Sequence, residues 1–160
     1  MGEHRVPEGR RRADEPIRLF DSDVLEFFTH IHPAVVVALW LPVGAFFLVR
    51  AALDPRLGPI GLAVGAIAGL GIWTLAEYTL HRFVFHFRPR TPRQERLAFL
   101  FHGVHHAQPR CKTRLVMPPA VSIPLALVFY GVYAGVVGGL LRAPEWVAPL
   151  FGGFVFGYLM

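Results

Sequence analysis

Five of the eight histidines fall in one short stretch of the chain. His81 and His86 stand in HRFVFH, an H-x4-H spacing, and His102, His105 and His106 stand in HGVHH, an H-x2-H-H spacing. Neutral imidazole ligates iron, zinc, copper and nickel, so the chemistry this cluster suits is metal binding. On an α-helix His102, His105 and His106 would project within about 100° of one another, and three nitrogens can converge on one face. His81 and His86 differ by about 140° in ideal α geometry. They can share an ion only if the helix end bends or unwinds; otherwise each serves a different ion. Five imidazoles exceed the three or four of a single zinc site, so the spacing points to a two-metal cluster. Glu77 lies one turn before His81 and could orient an imidazole as a hydrogen-bond acceptor, or bond other interfacial groups instead. His30 and His32, just before Pro33, read as interfacial residues without ligand duty, and His4 belongs to the polar tail.

The elements that must position these residues are apolar. Of 160 residues, 54% are hydrophobic and only 17% charged, against about 25% charged in ordinary soluble domains. Mean hydropathy is +0.45. A disordered chain, a coiled coil and a water-soluble globule are excluded on that composition. The single cysteine, Cys111, excludes a disulfide framework. Helices of about 20 apolar residues cross a bilayer, and four candidates occur, at residues 33–49, 57–76, 115–141 and 146–160. The expected fold is therefore all-α: an integral-membrane bundle of about four transmembrane helices (residues 31–160) behind a flexible polar tail (residues 1–30). The histidines lie in a cytosolic metal-binding region between the second and third spans.

Charge placement gives the orientation. Residues 81–114 carry eight Lys and Arg (Arg82, Arg88, Arg90, Arg93, Arg96, Arg110, Lys112, Arg114) and one acid, Glu95. The tail adds five more basic residues, whereas the loops on the other side hold only Arg50 and Arg56, then Arg142. By the positive-inside rule, tail and histidine loop face the cytoplasm. A basic patch flanked by apolar spans suits lipid head groups or an acidic partner, and nucleic acid is not expected.

Two glycine ladders, Gly61, Gly65, Gly69 and Gly131, Gly135, Gly139, recur at every fourth residue. They offer grooves for close helix packing, including that of a homo-oligomer, or simply reflect how common Gly is in membrane helices. Pro42 and Pro124 lie within spans and are expected to kink them. The last span measures only about 22 Å at 1.5 Å per residue, short of a bilayer core, so the chain is expected to continue beyond Met160.

The segments EYTLHRFVFHF (77–87), FHGVHH (101–106) and RLVMPP (114–119) resemble the fatty acid hydroxylase and sterol desaturase superfamily, most nearly its fatty acid 2-hydroxylase branch. The histidine motifs alone would also fit membrane desaturases and carotenoid hydroxylases; RLVMPP favours the lipid hydroxylases. The resemblance implies a di-iron type oxygenase that uses dioxygen and an external electron donor to hydroxylate a lipid acyl chain. Zinc could occupy the same ligands in an isolated protein. It would make His81, His86, His102, His105 and His106 metal ligands. Family members have an Asp where Cys111 stands, and carry further histidine clusters expected here beyond Met160. A sterol or carotenoid hydroxylase or desaturase of the same superfamily, or a non-catalytic membrane metal-binding fragment, are the alternatives.

Overall fold

The computed structural model of the chain describes residues 16–160; His4 and the Arg10, Arg11, Arg12 run of the expected tail lie outside the described residues. Every regular element among the described residues is helical. A short helix, α1 (Asp23–Phe27), begins at Ser22, whose hydroxyl accepts from the Leu25 N–H. Helix α2 (Pro33–Ala52) follows, with Pro33 in its first turn and His32 as its cap, Nδ1 accepting from Ala34 N–H. Proline is favoured there because a first-turn N–H has no helical partner anyway.

Helix α3 (Gly58–Thr79) runs without a break into a π-helical turn, Leu80–Phe85. The continuous 28-residue rod Gly58–Phe85 is about 40 Å long, some 10 Å more than a hydrocarbon core requires. His81 and His86 are at the end of that rod. Helix α4 (Pro92–Ala98), a second π-helical turn (Phe99–Gly103) and α5 (Val104–Ala107) form the remainder of the cap. Helix α6 (Pro119–Val132) continues as a π-helix over Tyr133–Leu140, and α7 (Val147–Leu159) follows a tight turn in which Arg142 takes a positive φ of 52°. Pro42 and Pro124 lie inside α2 and α6, as their sequence positions require.

Among the described residues, three helical stretches, Pro33–Ala52, Gly58–Phe85 and Lys112–Leu140, are long and apolar enough by themselves to cross a membrane. The fourth expected span coincides with α7. Among the described residues α7 is the most enclosed helix, burying Pro149, Phe151, Gly152, Gly153, Phe154, Val155 and Gly157. It fills the centre of the bundle, against α3 on one side and α2 on the other.

Glycine permits that fit. A Cβ at Gly69 would run into the Leu150 carbonyl, and one at Gly153 into the Ala66 carbonyl, so the α3 and α7 backbones touch reciprocally. The first ladder thus packs within the chain. Around Gly131 and Gly135 of the second, by contrast, a Cβ would meet nothing within 4 Å. Aromatic side chains close the core, with Trp73 edge-on to Phe154 (5.1 Å between centroids) and Tyr158 (5.2 Å), and Phe47 edge-on to Phe151 (4.9 Å). Trp40 donates its indole N–H to Ser122 Oγ (3.1 Å), which satisfies two polar groups inside the apolar layer.

Candidate metal centre

The π-helical turn at the end of α3 resolves the awkward H-x4-H spacing. A π-turn closes its hydrogen bond from residue i+5 to residue i. Here that bond joins the two histidines themselves, His86 N–H donating to the His81 carbonyl at 3.2 Å. The widened turn brings residues five apart onto one face. The His81 and His86 rings lie 4.6 Å apart, centroid to centroid, rather than on divergent faces.

The second π-turn and α5 deliver the other motif. His102 Nε2 lies 3.2 Å from His86 Nε2 and 2.8 Å from His106 Nε2, and its ring is 4.7 Å from that of His81. Ligand nitrogens of His81, His86, His102 and His106 all fall within 4.8 Å of one another. Nitrogens held about 2.0–2.1 Å from a zinc-like ion would lie about 3.4 Å apart at tetrahedral angles. The His102–His86 and His102–His106 separations are near that size, and a set of uncharged nitrogen donors fits a borderline metal ion.

Electrostatics favour the ligand form. Burial, followed by the charges its neighbours His106, His81, His86 and His105 would carry, pushes the His102 pKa down to about 4. At neutral pH His102 is thus an uncharged donor. Its ring also stacks on Phe85, 5.3 Å away and nearly parallel. The remaining cluster members His81, His86 and His106 are exposed.

His105 stands apart from the four. Its ring stacks over His102 at 5.8 Å, and its Nδ1 lies 3.3 Å from the Arg114 carbonyl. Glu77 is exposed, and no hydrogen bond joins its carboxylate to a histidine among the described residues. His30 Nδ1 bonds the Glu26 carbonyl (3.1 Å), and His32 caps α2, so both are occupied away from the cluster.

Three residues that pattern reading passed over support the centre. Arg114 has a side chain only 1% exposed and pairs with Glu26 at 2.8 Å, so it is no part of the basic surface its neighbours form. Gln108, buried just after the second motif, accepts the Ile17 N–H at 2.9 Å. All of these bonds span more than 80 residues, and local spacing carries no signal of them. Beneath the cap, a small apolar pocket of about 20 Å³ is lined by Trp40, Trp73, Ser122, Phe129, Phe154 and Tyr158, among others. Trp73 is eight residues before His81, or about 12 Å along the helix.

No family model matches the chain. It is 34% identical over 145 residues to a dihydroceramide fatty acyl 2-hydroxylase of Arabidopsis thaliana, covering 89% of this chain and 58% of that protein. It is 33% identical over 168 residues to the fatty acid 2-hydroxylase of Rattus norvegicus, covering 91% of this chain and 43% of the relative. The solved hydroxylase domain of full-length Scs7p superposes with a TM-score of 0.76 at 34% identity, over 86% of this chain and 50% of that one. The chain thus spans about half the length of these relatives. With its histidine motifs, membrane helices and fold all agreeing, the chain belongs to the fatty acid hydroxylase and sterol desaturase superfamily, on the side of the fatty acid 2-hydroxylases.

Proposed function

We propose that the chain is the histidine-bearing membrane portion of an oxygenase that hydroxylates a lipid acyl chain. The observation that carries this is the convergence of four imidazoles at the end of a helix long and apolar enough to cross a membrane. His81, His86, His102 and His106 would hold metal, with His105 as a fifth ligand through its Nε2. The full centre would take two ions, iron in the working enzyme. When bound, they would supply dioxygen activation: R–H, O2, two electrons from an external donor and two protons give R–OH and water.

The protein's own part is placement. The π-turns aim the imidazoles, and the bundle lets an acyl chain approach them from the bilayer. The excess of Arg and Lys on the tail and histidine loop supports a cytoplasmic position for both. An acidic electron donor could dock there by charge.

The test is isotopic. The complete protein in its membrane, supplied with reductant and labelled dioxygen, is expected to place one labelled oxygen in a hydroxyacyl lipid, seen by mass spectrometry. A hydroxyl drawn from water, or product formed without dioxygen, would overturn the reading.

A further inference from the structure

The segment before the first span is tied to the turn that follows the second histidine motif. Arg114 Nη1 donates to the Thr29 carbonyl at 3.0 Å, and Nη2 donates to Glu26 Oε1 at 2.8 Å and to the Ile17 carbonyl. The other carboxylate oxygen of Glu26 accepts from the Leu19 N–H (2.8 Å) and Phe20 N–H (3.0 Å), which folds residues 17–29 around it. Ile31 N–H bonds the Thr113 carbonyl at 3.0 Å, and Ile17 N–H bonds Gln108 Oε1. Residues 108–114 are therefore gripped at both ends.

That turn holds a histidine. His105 Nδ1 faces the Arg114 carbonyl, which can only accept, so Nδ1 carries the proton and Nε2 keeps the lone pair. Metal-ligating histidines are oriented in this way by a carbonyl behind them. We propose that residues 17–29 are a positioning strap for the metal centre: the Glu26–Arg114 pair fixes the carbonyl that sets the tautomer and aim of His105. This rests on the reading of His105 as a ligand. Glu26 and Arg114 touch neither metal nor substrate; they act through His105.

The experiment uses the complete protein in detergent and Co(II) as the probe, with affinity read by chelator competition and geometry by the visible ligand-field bands. Glu26→Gln removes the charge and keeps the shape. It is expected to weaken Co(II) binding about tenfold, at the low end of the cost of losing a supporting partner, and to shift the bands. Glu26→Asp, which keeps the charge, falls between it and wild type, and carries the test if Glu26→Gln does not fold. Arg56→Ala, which breaks the Arg56–Asp54 pair in the loop between α2 and α3, leaves Co(II) affinity unchanged. In a His105→Ala background, Glu26→Gln should cost nothing further. Unchanged affinity and bands in both Glu26 variants would overturn the strap. So would a Glu26→Gln penalty undiminished by His105→Ala, with the metal reading left standing. His105→Ala having no effect of its own would instead overturn the ligand assignment beneath both.

Discussion

One rod, Gly58–Phe85, serves two regions built on opposite terms. Its middle is pressed against α7 so closely that side chains are excluded at Gly69 and Gly153, and nothing polar is needed there. Its end widens into a π-turn and presents imidazoles that are exposed or half-exposed. The middle draws its stability from contact, which fails if an atom is added. The end gathers like groups that gain nothing from one another until an ion joins them. Rigidity in the first fixes the aim of the second.

The sharpest way to break that division is Gly69→Ala. The new methyl meets the Leu150 backbone, which cannot step aside as a flexible side chain would. A loss of about 3 kcal/mol or more is expected, at the upper end of overpacking costs, measured by unfolding in mixed micelles, and metal binding should vanish only together with the fold. His106→Ala should do the reverse. Co(II) affinity falls at least ~100-fold, beyond what loss of a supporting partner costs, while the metal-free protein unfolds within ~0.5 kcal/mol of wild type.

Acid should separate the regions more gently. Burial pushes the Glu26 carboxyl up, but the Leu19 and Phe20 N–H groups and the Arg114 charge outweigh it, so its pKa sits below the ordinary 4.5. The folded form then holds fewer protons than the unfolded one below that value. The strap's contribution is complete above pH 4.5 and is lost as pH falls through the folded pKa. Amide exchange on residues 17–31 should quicken in that window before exchange in α3 and α7. Smallest of all is Gly131→Ala, at a ladder position with nothing within 4 Å. It should alter stability by no more than ~0.5 kcal/mol, although the sequence spacing there is identical to that around Gly69.

That last pair shows where pattern reading stops. Hydropathy places the long helices to within a few residues and marks the histidine motifs, because both signals are local. It does not distinguish lipid from protein as the neighbour of an apolar residue. Residues 146–160 therefore read as a span like the others, with no sign that α7 is the enclosed centre. Angles computed at 3.6 residues per turn set His81 and His86 apart; the i+5 bond between them belongs to a helix of another pitch. Arg114 counts as one more positive charge in a basic loop. Its burial depends on Glu26, 88 residues earlier in the chain, and no periodicity reaches that far.

The central position of α7 also has a consequence for biogenesis. Of the four apolar helices it is made last, yet α2 and α3 meet chiefly through it. Until Val147–Leu159 leaves the ribosome, the grooves at Gly65 and Gly69 have only lipid to face, and the nascent helices wait as separate insertions. Closure of the bundle thus waits for α7, and a chain stalled before Val147 would hold α2, α3 and α6 with no core to join them.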